Sequence, residues 1–241
     1  MATNPLIQAD WLRPAIDFLF PPLCLGCSDF HEGDLDICNT CLNRIDKREH
    51  PVCLTCLGGL ENSVECDICG DDAFPLLAYG EYVGPLKEVI ISLKFRGLKS
   101  PAALFAQKAA EQFADAIAAL KPQALVPIPL HPTREYFRGY NQAALFAREL
   151  AGQLDLECDM SLIQRIKRRR PQSRMNLRSR TRNIQGVFSA TSQSNEPRRL
   201  LLVDDVVTSG ATIREVRRVL TGAGHTVVGV LAIAHVEGHN A

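Results

Sequence analysis

The feature that most constrains this fold is a run of four Cys-x-x-Cys pairs, which hold eight of the nine cysteines in the 241-residue chain. The pairs begin at Cys24, Cys38, Cys53 and Cys66, with gaps of 10, 11 and 9 residues between successive pairs. A Cys-x-x-Cys turn places two thiolates on one side of a tight loop, and two such turns complete a tetrahedral site for a soft metal ion. Because the surrounding residues show little hydrophobic periodicity, we expect metal rather than a conventional core to organise this region.

The sequence predicts one or two structural zinc sites here, rather than a set of buried or redox-active thiols. Sequential pairing would place the first four cysteines on one ion and the last four on another. A cross-braced arrangement would instead join the first pair with the third and the second with the fourth, and a single occupied site is a further alternative. The spacing does not choose among them. The predicted ligands are Cys24, Cys27, Cys38, Cys41, Cys53, Cys56, Cys66 and Cys69.

Charge divides the chain into two parts, although its formal net charge is zero. Residues 1–73 contain 4 basic and 13 acidic residues, which leaves 23 basic and 14 acidic residues in 74–241. Opposite net charges indicate two modules with different partners. An acidic cysteine module repels phosphate backbones, which favours a structural or protein-docking role. We therefore expect an N-terminal segment and zinc module over 1–73 and a second domain over 74–241.

From Leu76 onward, strand and helix patterns alternate. This alternation is typical of an α/β domain with a mostly parallel sheet and flanking helices. No apolar run approaches the roughly 20 residues that span a bilayer, and the N-terminus lacks a signal-peptide pattern, so we expect a cytoplasmic protein without membrane insertion. Strands are predicted at 76–83, 124–129, 162–166, 186–190, 199–203 and 226–234, and helices at 85–95, 101–120, 134–154 and 211–220.

The most specific chemical motif is an apolar strand that ends in two carboxylates, Asp204 and Asp205. A turn rich in hydroxyl residues and glycine follows, and its backbone N–H groups, with those of the next helix, suit a phosphate. Carboxylates at the carboxyl end of a strand can accept hydrogen bonds from sugar hydroxyls. The motif therefore predicts a sugar-phosphate site rather than a solvated capping turn. Its phosphate-binding part comprises Val206, Val207, Thr208, Ser209, Gly210, Ala211 and Thr212.

This stretch resembles the 5-phosphoribosyl-1-pyrophosphate (PRPP) signature of type I phosphoribosyltransferases. The resemblance implies that fold for the second domain, with Asp204 and Asp205 as catalytic residues that hold the ribose hydroxyls and with the turn on the 5-phosphate. It also implies Mg2+ beside PRPP, bridging pyrophosphate and ribose oxygens. Such an enzyme works mainly by positioning and charge stabilisation. No residue pattern identifies the acceptor, and whether the transferase is active stays open.

Three further segments narrow the resemblance: KFRG at 94–97, VPIPLH at 126–131 leading to RGYNQ at 138–142, and Gln172 followed by residues 178–183 and GVF at 186–188. Together with the cysteine pairs and the PRPP turn, they resemble the ComF family (ComFC/GntX-like proteins). This resemblance implies a role in natural competence, handling incoming single-stranded DNA beside a competence helicase. The alternatives are a non-catalytic DNA-handling or nucleotide-sensing module and a GntX-type accessory of sugar metabolism. Lys94, Arg96 and Arg138 are the candidate pyrophosphate contacts.

A basic stretch at 161–186 contains nine Lys and Arg residues and no Asp or Glu. It resembles the mobile hood of type I transferases, which could stabilise the charge of departing pyrophosphate and exclude water. Clustered arginines also fit a nucleic-acid contact, so both interpretations stay open. The candidate hood or nucleic-acid residues are Arg168, Arg169, Arg170, Arg174, Arg178, Arg180 and Arg182.

Two aromatic residues, Phe137 and Tyr140, lie among the cations near the RGYNQ segment. Each could stack on a base or pack beneath the loop, and packing is favoured for at least one of them. His131, just before them in the chain, is interpreted as a loop-packing residue rather than a catalyst.

Overall fold

A computed structural model of the chain describes residues 22–31, 35–60, 64–166, 186–191 and 196–236. No helix in these ranges is long and apolar enough to cross a membrane. The strands are β1 (Val52–Cys53), β2 (Pro75–Glu81), β3 (Ala124–Pro127), β4 (Glu157–Cys158), β5 (Ile163–Arg165), β6 (Phe188–Ala190), β7 (Arg199–Val207) and β8 (Thr226–His235). The helices are α1 (Asn39–Asn43), α2 (Gly84–Phe95), α3 (Pro101–Gln112), α4 (Ala114–Leu120), α5 (Pro132–Arg138), α6 (Gln142–Leu154) and α7 (Ala211–Gly222), with a 3-10 turn at Gly70–Asp72.

Six strands form one sheet in the order β1-β2-β8-β7-β3-β4. β1 is antiparallel to β2, and every other neighbouring pair is parallel. The prediction of a mostly parallel sheet is therefore confirmed. Because the carboxyl ends of parallel strands meet at one edge, the ends of β3, β7 and β8 lie side by side, and this is the edge where such sheets bind ligands.

Both faces of the sheet are covered, and β7 shows why. Its side chains alternate, so that Leu201 and Val203 join the core formed with α2, α3 and α6, whereas Leu200 and Leu202 join the core formed with α7. A strand buried on both faces reads as a continuous apolar run rather than as alternating apolar and polar residues. The run of apolar residues at 200–203 thus follows from the central position of β7 in the sheet.

Two predicted helices are each two helices in the structure. The helix predicted at 101–120 is interrupted at Phe113, which has φ −112° and ψ 22°. The helix predicted at 134–154 is interrupted after Arg138, where Gly139 adopts the left-handed conformation with φ 77°. Helical periodicity does not detect such breaks, because the residues on both sides of each break are helical; the first part of the second helix, α5, has no buried residue.

Two predicted strands lie outside the main sheet. β5 and β6 pair antiparallel with each other in a separate two-stranded sheet. Ile163 and Phe188 bury their side chains in the core beneath α7, so this two-stranded sheet covers that face and does not extend the main sheet. β1 and β4 were not predicted, because two residues carry too little periodicity to be detected.

Candidate functional site

The eight paired cysteines form two clusters in chain order. In each cluster the four sulfur atoms lie within 4.8 Å of one another. This arrangement is the sequential pairing, and it excludes the cross-braced alternative for these residues. The first cluster is Cys24, Cys27, Cys38 and Cys41, and the second cluster is Cys53, Cys56, Cys66 and Cys69.

The spacing of the sulfur atoms fits zinc. Four thiolates at a Zn–S distance of about 2.3 Å in a tetrahedron lie about 3.8 Å from one another. The distance between the sulfurs of Cys27 and Cys38 is 4.0 Å. In the second cluster, Cys53 and Cys69 are 3.9 Å apart. The donor type, the number of donors and these distances all support structural zinc in both clusters.

Backbone amides favour the thiolate form of one cysteine in each cluster. Burial opposes ionisation of Cys24, but amide hydrogen bonds from Cys38, Cys27 and Gly26 outweigh it and lower the pKa from 9.0 to about 6. At Cys53, burial again opposes ionisation, but amide hydrogen bonds that include one from Phe74 outweigh it and lower the pKa to about 6. Because the thiolate is the form that binds zinc, each cluster contains a ligand prepared for the metal.

Both clusters pack against the second domain, but by different contacts. Cys53 belongs to β1 and is paired with Pro75 of β2, so the second cluster is part of the edge of the sheet. The first cluster lies against the start of α2, where a Cβ on Gly26 would be 3.1 Å from the Cβ of Pro85. The domain boundary at 73/74 stays a prediction.

Asp204 and Asp205 lie inside β7, which continues to Val207 beyond the predicted end at 203. The amide of Asp205 donates a hydrogen bond to Asp204 Oδ1 at 2.8 Å, and Lys94 Nζ lies 3.2 Å from Asp205 Oδ1. Burial, and then the neighbouring charge of Asp205, raise the pKa of Asp204 well above its usual range. Lys94 offsets only part of the negative charge of the two adjacent carboxylates. Hydroxyl donors or a cation at this position would therefore stabilise the ionised form of both groups.

The turn after β7 presents main-chain donors. Thr208 and Ser209 are exposed, and Gly210 has φ 67°, a left-handed conformation that favours glycine. α7 begins at once, and no side chain among the described residues caps its first N–H groups. These N–H groups and the exposed hydroxyls form a site of the kind that holds a phosphate.

Arg214 holds this turn in place, and sequence analysis missed it. Its Nη2 donates a hydrogen bond to the carbonyl oxygen of Ser209 at 2.6 Å. A Cβ on Gly210 would lie 3.0 Å from its Nη1. The signal was available, because Arg214 follows Gly210 by one helical turn.

The remaining predicted phosphate residues contribute in different ways. The side chain of Val207 is buried in the core, as is that of Ala211, so only their main chains can face a ligand. Val206 and Thr212 are half-buried. The assignment of these four residues to a phosphate site stays a prediction.

The basic residues predicted to contact pyrophosphate do not all line the same cleft. Lys94 and Arg138 line one cleft between the end of α2 and α5, whereas Arg96 follows α2 and is exposed. Through its ion pair with Asp205, Lys94 connects this cleft to the acid pair. The hood candidates lie outside the described residues: Arg168, Arg169, Arg170, Arg174, Arg178, Arg180 and Arg182.

The RGYNQ segment joins neighbouring elements. Tyr140 Oη donates a hydrogen bond to the carbonyl oxygen of Leu93 in α2 at 2.5 Å, which confirms packing for this ring. Asn141 Nδ2 donates to the carbonyl oxygen of Ile128 at 3.0 Å and so fixes the loop after β3. His131 Nδ1 accepts from the amide of Thr133 at 3.2 Å, a local structural role as predicted. The three motifs at 94–97, 126–131 and 138–142 therefore form one connected structure.

Comparisons with known proteins match both parts of the chain. A double zinc ribbon domain matches residues 15–73, and a phosphoribosyl transferase domain matches residues 141–239. Competence protein F of Haemophilus influenzae is 28% identical over 223 residues, which cover 88% of this chain and 96% of that protein. DNA utilization protein YhgH of Salmonella typhimurium is 29% identical over 201 residues, covering 80% and 88% respectively. Competence protein ComFC of Bacillus subtilis is 28% identical over 205 residues, covering 79% and 80%.

Among solved structures, an adenine phosphoribosyltransferase from Thermoanaerobacter pseudethanolicus is similar over 64% of this chain and 76% of its own. The TM-score is 0.34 and the identity 13%, which is too low to define the fold by itself. The mostly parallel sheet and the domain match instead define a phosphoribosyltransferase-type fold that carries an N-terminal double zinc ribbon. Competence protein F and competence protein ComFC, to which the chain is similar over most of its length, agree with the resemblance of its motifs to the ComF family.

Proposed function

We propose that this chain binds PRPP, or a closely related ribose phosphate, and acts in competence and DNA use. The observation that carries the proposal is the acid pair of β7, which leads within five residues to the uncapped start of α7. Ribose hydroxyls would donate hydrogen bonds to Asp204 and Asp205, and the 5-phosphate would accept them from the turn at 208–212. The names of the relatives, competence protein F and DNA utilization protein YhgH, support the DNA part of the proposal.

The chemistry open to this site is substitution at the ribose C1. The bond between C1 and the pyrophosphate oxygen breaks, pyrophosphate leaves with the electron pair, and a lone pair of the acceptor forms the new bond. Lys94, which pairs with Asp205, and Arg138, which lines the same cleft as Lys94, would stabilise the charge of the departing pyrophosphate. The carboxylates of Asp204 and Asp205 are hard oxygen donors that fit Mg2+, which would offset the charge of pyrophosphate when bound. A helicase partner stays a prediction.

Calorimetric titration of PRPP into the zinc-loaded protein, with and without Mg2+, tests the proposal. We expect Mg2+-dependent binding that the double substitution Asp204→Asn and Asp205→Asn abolishes while zinc content stays unchanged. A matched control is Asp71→Asn with Asp72→Asn, because those two adjacent carboxylates are exposed in the zinc ribbon. The control should bind PRPP like the parent.

Two outcomes would contradict the proposal. Normal PRPP binding by the Asp204/Asp205 variant would show that the site is elsewhere. Absence of binding by the parent protein, with and without Mg2+, would show that this pocket does not take PRPP by itself.

A further inference from the structure

Gln142 is a polar residue in an unusual place, because glutamine is mostly exposed in folded proteins and this residue is only 1% exposed. It is the first residue of α6. The backbone before it is fixed, since Gly139 ends α5 with φ 77° and Asn141 Oδ1 accepts a hydrogen bond from the amide of Ala143 at 3.0 Å. The side-chain amide of Gln142 therefore starts from a defined backbone position, and its polar atoms need partners inside the protein.

The two polar atoms of this amide have different surroundings. Oε1 accepts a hydrogen bond from Arg138 Nη1 at 2.9 Å, whereas Nε2 has no hydrogen-bond partner among the residues that the structure describes. A buried donor without a partner destabilises the fold, and a methionine would fill a similar volume without that cost. Core packing alone therefore does not account for this glutamine, and its hydrogen bond to Arg138 points to its role.

Arg138 is held by two contacts at the wall of the cleft between α2 and α5. Its guanidinium lies 4.8 Å from the centre of the Phe95 ring, and its Nη1 donates to Gln142. In the described part of the chain Arg138 forms no ion pair with a carboxylate, whereas Lys94 of the same cleft pairs with Asp205 at 3.2 Å. Arg138 can therefore pair with an anion without first breaking an ion pair.

The neutrality of Gln142 matters for this cation. An amide oxygen holds the guanidinium in place and leaves its positive charge uncancelled. A carboxylate at the same place would form an ion pair, as the buried Glu215 does with Arg218 at 2.8 Å in α7. Because such a pair would compete with a bound anion for the guanidinium, the glutamine combines a fixed position with an uncancelled charge. The unpaired Nε2 is the cost of that combination.

We propose that Gln142 is a positioning residue that holds the guanidinium of Arg138 in place for pyrophosphate without cancelling its charge. Its own side chain is buried and lies outside the lining of the cleft, so it acts through Arg138. The inference rests on the proposed binding of PRPP, in which pyrophosphate lies at Lys94 and Arg138. It goes beyond that proposal by adding a residue behind the cation and a physical reason for its amide.

Calorimetric titration with PRPP, and with ribose 5-phosphate as the ligand that lacks pyrophosphate, tests the inference in the presence of Mg2+. Gln142→Met removes the acceptor for Arg138 and should weaken PRPP binding about three- to tenfold, the effect of one hydrogen bond. Gln142→Glu retains an acceptor but cancels the charge, and it should weaken PRPP binding about tenfold or more. Neither substitution should change the affinity for ribose 5-phosphate, because that ligand has no pyrophosphate to contact Arg138.

The matched control is Gln153→Glu, which makes the same change of charge at an exposed position near the other end of α6. It should bind both ligands like the parent. Circular dichroism melting shows whether each variant is folded. Gln142→Met should melt like the parent, because it loses the unpaired donor together with the hydrogen bond.

A double-mutant cycle tests whether Gln142 acts through Arg138. Arg138→Met alone should weaken PRPP binding by at least as much as Gln142→Met does. The double substitution Arg138→Met and Gln142→Met should bind PRPP like Arg138→Met alone, because the group to be positioned is then absent. A residue that supported the domain in general would instead weaken PRPP binding further in the double variant.

Two outcomes would overturn the inference and leave the PRPP proposal intact. The first is parent-like PRPP affinity in both folded Gln142 variants. The second is an additive loss in the double variant or an equal loss of ribose 5-phosphate affinity, since Gln142 would then act on the domain as a whole. Absence of PRPP binding by the parent protein is a different result, because it contradicts the PRPP proposal and overturns this inference with it.

Discussion

The two cysteine clusters have the same ligands and nearly the same sulfur spacing, but they differ in what they touch. The first cluster, with Cys24 and Cys41 buried in the core beneath α2, contacts the second domain by side-chain packing, and Ser100 Oγ donates a side-chain hydrogen bond to Asp36 in its loop. The second cluster contributes Cys53 to β1 and thereby to the hydrogen-bonded edge of the sheet. The same metal chemistry therefore serves an attachment by side chains in the first cluster and an attachment by main-chain strand pairing in the second cluster.

Leu54, the residue after Cys53, connects the second cluster with the sugar-phosphate turn. Leu54 is 3% exposed, and its amide donates to the carbonyl oxygen of Phe74 at 2.8 Å. Its Cδ2 is 3.6 Å from the position that a Cβ on Gly210 would take. The second cluster is thus one residue away from a side chain that lies close to the phosphate turn, whereas Cys24 and Cys41 of the first cluster belong to the core on the other face of the sheet. The difference predicts that only the second cluster affects ligand binding.

Removal of one zinc ligand from each cluster should give the largest effects. A structural zinc in a small domain contributes about 10–16 kcal/mol, which is comparable to the whole stability of a typical domain. We expect Cys24→Ser and Cys53→Ser each to lose about one zinc per chain by elemental analysis and to lower the melting temperature strongly. Only Cys53→Ser should also weaken PRPP binding, by about tenfold or more, in calorimetry at a temperature where both variants are folded.

Equal loss of PRPP affinity in both variants would remove the distinction between the clusters. Cys158→Ser is the control, because this cysteine is distant in sequence from both clusters and belongs to neither. It should keep two zinc ions per chain.

Leu54→Ala tests the same connection without removing zinc. A buried leucine replaced by alanine costs about 2–5 kcal/mol of stability. Ile37→Ala is its counterpart near the first cluster, since Ile37 is 1% exposed and should cost a similar amount. We expect both variants to retain two zinc ions and to unfold at lower urea concentrations. Only Leu54→Ala should weaken PRPP binding. If Ile37→Ala weakens it equally, the loss of PRPP affinity results from general destabilisation.

These contacts also show what the sequence could and could not predict. The cysteine clusters could be predicted, because each is a local pattern of a few residues with a definite chemistry. The strand, turn and helix around the acid pair could be predicted in the same way, whereas the binding role of these residues stays a prediction. The pairing of the clusters, the placement of β1 at the edge of the sheet and the contact of Leu54 with Gly210 could not, because they join residues far apart in the chain. The end of β7 was placed too early because the carboxylates of Asp204 and Asp205 interrupt the apolar run that marked the strand.

Gly210→Ala should have a smaller effect on stability and a clear one on binding. Alanine in the left-handed conformation of Gly210 costs about 1–2 kcal/mol, and its Cβ would press on Arg214. The matched control is Gly222→Ala at the end of α7, where a Cβ meets nothing within 4 Å. We expect weaker PRPP binding for Gly210→Ala in calorimetry and unchanged binding for Gly222→Ala. Parent-like PRPP binding by Gly210→Ala would show that the turn tolerates a Cβ at this position. The close approach of Leu54 and Arg214 to the turn would then not determine PRPP affinity.

The smallest expected effect comes from pH at the opposite edge of the sheet. Burial, and then the charge of Arg198, lower the pKa of His225, whose Nδ1 accepts a hydrogen bond from the amide of Arg198 at 3.3 Å. Asp159, which pairs with Arg198 at 2.5 Å, opposes this shift only in part. The histidine is therefore neutral in the folded protein at a pH where the unfolded chain already takes up a proton.

Since the unfolded histidine titrates near about 6.5, the stability contributed by neutral His225 is complete above that pH and is lost as the pH falls below it. We expect urea unfolding to show a modest loss of stability as the pH falls below about 6.5, and His225→Asn, which keeps an acceptor, to reduce that loss. Because His225 lies at the amino ends of β7 and β8, away from the sugar-phosphate turn, Ile37→Ala and Leu54→Ala should lose stability over this range as the parent does. A steeper loss of stability in Leu54→Ala alone would show that this substitution also affects the protonation of the neighbouring zinc ligands. The closeness of Leu54 to Gly210 would then no longer explain the difference between the two clusters.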